Sequence, residues 1–416
     1  MNRKNVILWT LYDFANSIST IVFFLYFSQW LVIDHGVSDF AYNMLFTIGS
    51  ILLLMTAPVL GSIADKTYRE QKYLNRITVF TFIFFVLTAL TTLFFTGSVL
   101  LAAFFFLISN YLYQFSFVFY NALLEKIAPP EKCGTISGIG QAANWIGQIV
   151  GLVVTIPLAS GAIYLFGAPG RAQTFLPASI IFFFLSLPML LWFKLPKRET
   201  PITDITTISY AQEYKSQWRQ FKDLIKEPNM RYFLLSYFFF NDAILTASNN
   251  FPIYLEKVFA VTDSTKSLLL IGILVTSAVG ALVSGWASDR IGTKTSLMII
   301  LGSWAIIFPL MGLTNSFAFF VVLAILMGFF FGATWTVTRT AMVALCPKDK
   351  LNFGFSFYTI AERISTLIGP LTWGLITMLL ANTGSMRYRV AIIAMGGFAA
   401  IGSVILSKAK IRETTK

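Results

Sequence analysis

Ionisable side chains interrupt several long apolar stretches of this sequence, where each of them needs water or a partner. The candidates are Asp13, Glu125, Asp242, Arg339, Glu362 and Arg363. A charge inside a membrane-spanning helix costs roughly 2.5–3.5 kcal/mol on insertion scales, so such groups usually line a cavity, a proton path or an ion pair. The sequence has no glycine-rich phosphate loop, His/Cys metal cluster or nucleophile with a histidine base. We therefore expect no enzymatic activity, no ATP-driven transport, no cofactor and no metal.

Two of these groups, Asp13 and Asp242, are the main candidates for chemistry. Asp13 lies about seven residues into its apolar stretch and Asp242 about eleven, which is roughly 10–16 Å from the inner surface at the rise of a helix. Burial disfavours a charged carboxylate and wetting restores it, so a carboxyl group at this depth can take up and release a proton as access alternates. The alternative is structural, with Asp13 bonded to neighbouring backbone or to Asn16.

The remaining charged candidates predict contacts between helices. Glu362 and Arg363 are adjacent, so about 100° of helix rotation separates them and each needs another partner. Arg339 would meet Glu362 or Asp289 in a latch between helices, which we favour, or it would bind a carboxylate of the substrate. Glu125 lies near the inner surface, which favours a gating salt bridge with a loop cation over proton coupling.

A polar set crosses two neighbouring apolar stretches. Its members are Tyr113, Gln114, Tyr120, Asn121, Gln141, Asn144 and Gln148. The last three share one helical face, which would line the path of the solute. The same residues would equally well hold helices together beside the glycine pairs Gly134/Gly138 and Gly147/Gly151. The sequence leaves both interpretations open.

Other residue types carry no predicted chemistry. We assign the 42 phenylalanines to lipid-facing and interhelical packing and the single histidine, His35, to solvated surface. Cys133 and Cys346 both fall in short connections that we expect in the cytosol. The sequence therefore indicates neither a disulfide framework nor redox chemistry.

The elements that position these residues are helices long enough to cross a membrane. Hydrophobic residues make up 56% and charged residues 12% of the 416 residues, unlike a soluble domain. Weakly charged runs of roughly 18 or more residues recur, each long enough to span about 30 Å of hydrocarbon as a helix. We predict an all-α polytopic membrane protein with twelve transmembrane helices, over residues 6–33, 41–64, 76–96, 98–128, 135–166, 175–195, 231–256, 267–288, 296–314, 317–346, 353–381 and 388–407.

Basic residues are unevenly divided between the predicted loops. With the amino terminus in the cytoplasm, 24 of the 31 lysines and arginines fall on the inner side and five on the outer side. This distribution follows the positive-inside rule. The net charge of +12 therefore reflects orientation and not nucleic-acid binding, and we expect both termini to be cytoplasmic.

A polar interval divides the predicted helices six and six. We expect an N-terminal bundle over 1–195, a cytoplasmic linker over 196–230, a C-terminal bundle over 231–407 and a cytoplasmic tail over 408–416. Within the linker, one helical face is apolar and the other basic. The two faces are Tyr210, Tyr214, Trp218, Phe221 and Ile225, and Lys215, Arg219, Lys222 and Lys226. This helix would lie on the anionic inner leaflet or pack against the ends of the bundles.

Landmarks recur in the two halves in the same order, which indicates an internal repeat. Residues 61–66 (Gly-Ser-Ile-Ala-Asp-Lys) match 285–290 (Gly-Trp-Ala-Ser-Asp-Arg) with an offset of 224 residues, and Asp13 matches Asp242 with an offset of 229. In this pattern glycine admits close helix contact, aspartate can face a helix amino terminus and basic residues stay in the cytosol. We expect the two loops to lock the inner gate through Gly61, Asp65, Lys66, Gly285, Asp289 and Arg290.

The loop pattern resembles the signature of the major facilitator superfamily, found between the second and third helices and again between the eighth and ninth. The second copy keeps Gly292 and Lys294, whereas the first has Tyr68 where glycine is usual and Glu70 at a usually basic position. Three segments resemble the vacuole-effluxer, autophagy-related branch of that superfamily. They are Trp9-x-x-Tyr12-Asp13-Phe14-Ala15-Asn16-Ser17, Phe119-Tyr120-Asn121-Ala122-Leu123-Leu124 and Asn241-Asp242-Ala243.

The resemblance implies two pseudo-symmetric six-helix bundles that move a small solute by alternating access. Because fungal members of the branch are associated with amino-acid efflux from the vacuole, it also implies amino acids or related metabolites as solutes. We expect a secondary active transporter in the lipid bilayer, coupled to protons through Asp13 and Asp242. A flippase for a lipid or lipid-linked substrate and a non-transporting sensor are alternatives, and the mode and direction of transport stay open. Compact loops suit a bacterial cytoplasmic membrane, and a monomer is the usual state of this fold.

Overall fold

The computed structural model describes most of the chain. The described residues are 3–37, 39–95, 97–165, 170–195, 215–216, 219, 222–223, 225–261, 263–347, 351–364 and 368–411. Helices dominate them, and none lies in a β-strand. The predicted all-helical fold is therefore confirmed.

In the part of the chain that the structure describes, six long helices precede the linker. They are α1 (Arg3–Val22), α2 (Asp39–Thr67), α3 (Glu70–Phe94), α4 (Val99–Ile127), α5 (Cys133–Ala159) and α6 (Phe175–Trp192). Two π-helical turns, Phe23–Phe27 and Trp30–Asp34, extend α1. The first helical span is therefore longer than α1 itself, as the predicted boundary at residue 33 requires.

Seven helices follow the linker among the described residues. They are α7 (Pro228–Phe259), α8 (Asp263–Ile291), α9 (Thr293–Leu313), α10 (Phe317–Leu345), α11 (Leu351–Ile364), α12 (Ile368–Leu379) and α13 (Met386–Ser407). The predicted eleventh span corresponds to α11 and α12 together, on either side of residues 365–367.

Ten helices among the described residues are long and apolar enough to cross a membrane. The predicted seventh and eleventh spans are not among these ten. In α7, polar residues such as Asn241, Asp242 and Asn250 lower the hydropathy, and the eleventh span is described in two shorter segments. Large apolar side chains are exposed along the helices, as a lipid-facing surface requires.

The chain divides into two compact units, and the boundaries between them do not coincide with the midpoint of the sequence. The first unit comprises Met1–Pro129, Ala143–Gln217 and Lys348–Phe357, and the second comprises Pro130–Ala142, Trp218–Pro347 and Tyr358–Lys416. The start of α5 thus belongs to the second unit, and the start of α11 belongs to the first.

Stacked phenylalanines form much of the core of the first unit. The rings of Phe23 and Phe85 are 4.3 Å apart between centroids, and those of Phe27 and Phe106 are 4.1 Å apart. All four are at most 3% exposed. These rings pack against one another, in keeping with the packing role assigned to phenylalanine.

The repeat extends to the ends of α6 and α13. In the first unit, the Asn5 amide donates to the Lys194 carbonyl at 2.9 Å, and in the second the Asn229 side-chain oxygen accepts from the Lys410 backbone N–H at 2.7 Å. Asn5 and Asn229 are 224 residues apart, and the two lysines are 216 apart. Equivalent asparagines therefore satisfy backbone groups just beyond the last helix of each half.

Candidate functional site

Three helices of the first unit meet at the Asp13 carboxylate. Asp13 lies in α1 and is 1% exposed. Its Oδ1 accepts a hydrogen bond from the Asn144 amide on α5 at 2.8 Å, and its Oδ2 accepts one from the Tyr120 hydroxyl on α4 at 3.0 Å. The Gln148 amide in turn donates to the Asn144 oxygen at 2.8 Å and fixes the orientation of that amide. The carboxylate is thus buried and bonded by neutral donors.

An aromatic wall supports this cluster. Trp9 and Tyr120 stack with their ring centroids 4.6 Å apart and their planes 4° apart, and the Trp9 indole N–H donates to the Tyr120 carbonyl at 3.0 Å. The neighbouring Tyr12 hydroxyl bonds Thr78 on α3 at 2.7 Å. The wall holds the phenol of Tyr120 in place beside Asp13.

Glycine allows α5 to approach α1 at this point. A Cβ atom on Gly147 would meet the Ser17 hydroxyl and the carbonyl of Phe14, and one on Gly151 would meet the carbonyl of Ile18. The close packing predicted for this glycine pair is confirmed. It brings Asn144 within reach of Asp13.

A second carboxylate cluster lies in the second unit. Asp242 of α7 is 2% exposed, and its Oδ2 accepts from the Gly369 backbone N–H at 2.6 Å. The Thr246 hydroxyl is 3.5 Å from its Oδ1. Gly369 lies in α12, so a backbone N–H of this helix supplies the short bond to the carboxylate.

The two clusters share a pattern that sequence reasoning missed. Asp13 and Asp242 are each followed four residues later by a hydroxyl, Ser17 or Thr246, and this hydroxyl faces a glycine of another helix. A Cβ atom on Gly369 would meet the Thr246 hydroxyl and lie 2.6 Å from the Asp242 oxygen. The sequence signal for this pattern was the hydroxyl residue four positions after the aspartate, which recurs in both halves. The donors to the carboxylates differ, because Asp13 receives side-chain donors and Asp242 receives a backbone N–H.

Both loop aspartates accept hydrogen bonds from the first residues of a helix. Asp65 accepts from the Phe353 N–H of α11 at 2.9 Å. Asp289 accepts from the N–H groups of Gly134 and Thr135, both at 2.7 Å, and from the Thr135 hydroxyl at 2.6 Å, all at the start of α5. The expectation that these aspartates face helix amino termini is confirmed.

The other residues of the two loop patterns have varied surroundings. Gly285 packs so closely that a Cβ atom there would meet the Gly134 carbonyl and lie 3.0 Å from the Gly138 Cα. Gly61 is buried and Lys66 is half-buried. The exposed guanidinium of Arg290 lies 4.3 Å from the centre of the Trp286 ring.

The first loop adopts the backbone conformation of glycine despite its departure from the signature. Tyr68 has φ of +51°, and Gly292 in the second loop has φ of +90°. Glu70, the other departure, is the first residue of α3 and forms an ion pair with Lys126 near the end of α4. The Glu70 side chain is 3% exposed. The acidic residue at this usually basic position is thus paired with a lysine.

Arg339 is buried and bonds an amide. Its Nη2 donates to the Gln141 side-chain oxygen at 2.6 Å within the second unit. Asp289, one of the two predicted partners of Arg339, accepts hydrogen bonds from the start of α5. The carbonyl of Glu362 accepts from the Asn241 amide at 3.3 Å, and the Glu362 side chain is half-buried. The latch between Arg339 and Glu362 stays a prediction.

The rest of the predicted set is only partly brought together. Asn16 is buried one turn after Asp13, whereas Asn121 and Glu125 are half-buried on α4. The predicted face of α5 divides, since Gln141 contacts Arg339 while Asn144 and Gln148 serve Asp13. Other predictions rest on the side chains of Arg363, Tyr210, Tyr214, Trp218 and Phe221, which lie outside the described residues. The basic linker residues Lys215, Arg219, Lys222 and Lys226 are exposed.

Two family profiles match this chain. The profile described as vacuole effluxer Atg22 like matches residues 131–413, and that of the Major Facilitator Superfamily matches residues 1–152. The uncharacterized MFS-type transporter YxiO of Bacillus subtilis is 24% identical over 96% of this chain and 93% of its own length. Autophagy-related protein 22 of Candida glabrata is 26% identical over 45% of this chain and 37% of its own length.

Solved structures show the same fold at low identity. The human organic anion transporter MFSD10 has a TM-score of 0.76 and 12% identity, covering 97% of this chain and 99% of its own. A bacterial homologue of the iron transporter ferroportin, in an outward-facing state, has a TM-score of 0.75 and 12% identity, with 99% of each chain covered. At such identities the likeness shows the fold alone.

The left-handed conformation of Tyr68 yields a first prediction. Replacing Tyr68 by glycine removes a backbone strain of about 1 kcal/mol, so the Tyr68→Gly protein should unfold at a higher temperature in detergent. Arg69→Gly is the matched control, because Arg69 has φ of −113° and glycine there only loosens the chain. Equal or lower stability of Tyr68→Gly would contradict the strain.

The ion pair between Glu70 and Lys126 yields a second prediction. Lys126→Ala leaves a buried carboxylate without this partner and should destabilise the protein by about 3 kcal/mol, as measured by thermal unfolding. The double variant Glu70→Gln/Lys126→Met should recover most of the loss. Lys132→Ala is the control, since Lys132 is exposed. If Lys126→Ala and Lys132→Ala behave alike, the pair contributes nothing to stability.

Proposed function

Since the chain belongs to the Atg22-like vacuole effluxer family of the major facilitator superfamily, we propose that it carries a small polar solute across a membrane by proton-coupled alternating access. Members of this superfamily are integral membrane transporters, so the general function of the chain is to transport a solute across a membrane. The specific proposal concerns the solute, the proton and the residues that handle them.

The observation that carries the proposal is the pair of buried carboxylates in equivalent helices of the repeat. Asp13 and Asp242 are almost fully buried, and both accept hydrogen bonds from neutral groups, Asp13 from Tyr120 and Asn144 and Asp242 from the Gly369 N–H. A carboxyl group in such surroundings is stable when neutral and becomes charged when water reaches it. This is the property that proton coupling requires.

The two loop aspartates support a gating role. Asp65 and Asp289 each bond the amino end of a helix, which combines hydrogen bonds with a favourable interaction with the helix dipole. Breaking these bonds is one step that opening toward the cytoplasm would need. Lys66 and Arg290 lie in the same loops, on the side proposed to be cytoplasmic.

The proposed solute is an amino acid or a related small metabolite. The support is family membership, since the matching profile is described as a vacuole effluxer. For this chain we propose a bacterial cytoplasmic membrane, both termini in the cytoplasm and a monomeric state, in line with the distribution of basic residues. The exposed lysines of the linker suit contact with anionic lipid.

A transport assay tests the coupling. We expect proteoliposomes to accumulate one member of a pooled amino-acid and metabolite panel only when a proton gradient is imposed, and Asp13→Asn and Asp242→Asn each to lower accumulation at least tenfold, because neither amide can carry the proton. Asp223→Asn is the control, since Asp223 is exposed and pairs with Lys226 in the linker.

Three results would overturn parts of the proposal. Counterflow that does not depend on the proton gradient would indicate a facilitator. Unchanged accumulation in both aspartate variants would remove these residues from the mechanism. Absence of flux for every panel member, with movement of a labelled lipid instead, would indicate a flippase.

The loop at Asp289 yields a separate prediction on gating. Asp289→Asn removes the charge at the amino end of α5 and should release this end more often. Cys133, the first residue of α5, is 7% exposed, so in a Cys346→Ser background its reaction with a maleimide should accelerate roughly tenfold, which corresponds to about 1.4 kcal/mol. Arg290→Gln is the control for a lost loop charge. An unchanged rate would show that Asp289 does not hold the start of α5.

A further inference from the structure

The Tyr120 hydroxyl has two hydrogen-bond acceptors within reach. Asp13 Oδ2 is 3.0 Å away, and the carbonyl oxygen of Trp9 is 3.3 Å away. A phenol has one proton to donate and can also accept. At any moment its proton therefore serves one of the two acceptors, and rotation about the C–O bond moves the proton between them.

A carboxyl group that changes its protonation state also changes its hydrogen-bonding needs. The ionised form only accepts, whereas the protonated form carries an O–H that must itself donate. In a buried site, a fixed N–H donor serves the ionised form but opposes the protonated one, since two hydrogens then face each other. A proton-coupling carboxyl group is therefore best served by a neighbour that can reverse its role.

We propose that Tyr120 is such a reversible partner, a positioning residue that lets Asp13 change its protonation state while it stays buried. When Asp13 is ionised, the Tyr120 O–H donates to Oδ2. When a proton from the aqueous phase binds Oδ2, the new O–H of Asp13 donates to the Tyr120 oxygen, and the Tyr120 O–H turns to the Trp9 carbonyl. Tyr120 keeps its own proton throughout, and no covalent bond other than the Oδ2–H bond is made. This inference rests on the proposed role of Asp13.

The surroundings hold the Tyr120 ring in place while its hydroxyl can rotate. Stacking against Trp9 and the bond from the Trp9 indole to the Tyr120 carbonyl hold the ring and the backbone of Tyr120. The other carboxylate oxygen, Oδ1, keeps its bond from Asn144 in both states, because an amide N–H only donates. The proton is thereby directed to Oδ2.

The described groups around Asp13 come from three helices, α1, α4 and α5. On α1 the adjacent titratable group is Tyr12, whose hydroxyl is engaged with Thr78 of α3. On α4 it is Tyr120, and α5 contributes the amides of Asn144 and Gln148. Tyr120 is the titratable group on these helices that the structure shows in direct hydrogen bonding with the carboxylate.

Asp242 lacks an equivalent arrangement in its described contacts. Its short bond comes from the Gly369 backbone N–H, which cannot accept a hydrogen bond. The Thr246 hydroxyl is 3.5 Å from the other oxygen. The described hydroxyl partner of Asp242 is thus at the limit of hydrogen-bonding distance, whereas that of Asp13 is at 3.0 Å, so the two equivalent carboxylates differ in how they accommodate a proton.

Infrared spectroscopy of the purified protein in nanodiscs tests the proposal without knowledge of the solute. The probe is the proton itself, and the carboxyl C=O band of Asp13 is identified by its loss in Asp13→Asn. In Tyr120→Phe, the carboxylate loses a donor, so the proton affinity of Asp13 should rise about tenfold. Tyr254→Phe is the matched control, since it removes a buried hydroxyl that donates to the Met311 carbonyl.

A second measurement covers the case in which Tyr120→Phe does not fold. In the wild type, the C–O band of Tyr120, assigned with isotope-labelled tyrosine, should shift with the same pH midpoint as the Asp13 band. If Asp13 titrates while neither Tyr120 readout changes, the inference is wrong and the proposed role of Asp13 stands. If Asp13 does not titrate, its proposed role in coupling fails, and the inference fails with it.

Discussion

A carboxylate between membrane-spanning helices must receive hydrogen bonds from its protein neighbours, because lipid supplies no donors. The structure meets this requirement in two ways. Asp13 receives the side chains of Tyr120 and Asn144, Asp65 and Asp289 receive backbone N–H groups near the starts of helices, and Asp242 receives the backbone N–H of Gly369. Helix positions follow from these bonds, since each aspartate ties its own helix or loop to the beginning or the flank of another. The packing of the helices and the placement of the buried carboxylates therefore depend on each other in this protein.

The repeat preserves positions more strictly than it preserves interactions. Asp13 and Asp242 occupy equivalent sites, each with a hydroxyl one turn later and a glycine opposite. The donors nevertheless differ, because Asp13 receives side-chain donors from two helices and Asp242 receives its shortest bond from the backbone N–H of Gly369. A backbone N–H is fixed in its role, while a hydroxyl is reversible. Two equivalent carboxylates can thus have different capacities to hold a proton, although a comparison of the aligned residues alone would treat them as interchangeable.

Apolar runs predicted the helices, and the spacing of the loop motif predicted that its aspartates face helix amino termini, because both are local properties of the chain. The partners of the carboxylates were not predictable in the same way. Tyr120 and Asn144 stood in the predicted polar set, but their contact with Asp13 depends on how α1, α4 and α5 pack. Gly369 carried no signal of its own, since its contribution is a backbone N–H and the space left by a missing side chain.

The first of the two loop patterns shows how the structure accommodates a departure from the sequence signature. Tyr68 keeps the left-handed turn that glycine would adopt freely, so the turn must be held by contacts outside it. The ion pair between Glu70 and Lys126 is such a contact, because it joins the start of α3 to the end of α4. Both helices belong to the first unit, and the pair involves neither Asp65 nor α11. The conformation of the loop and the bond between Asp65 and α11 therefore depend on separate interactions.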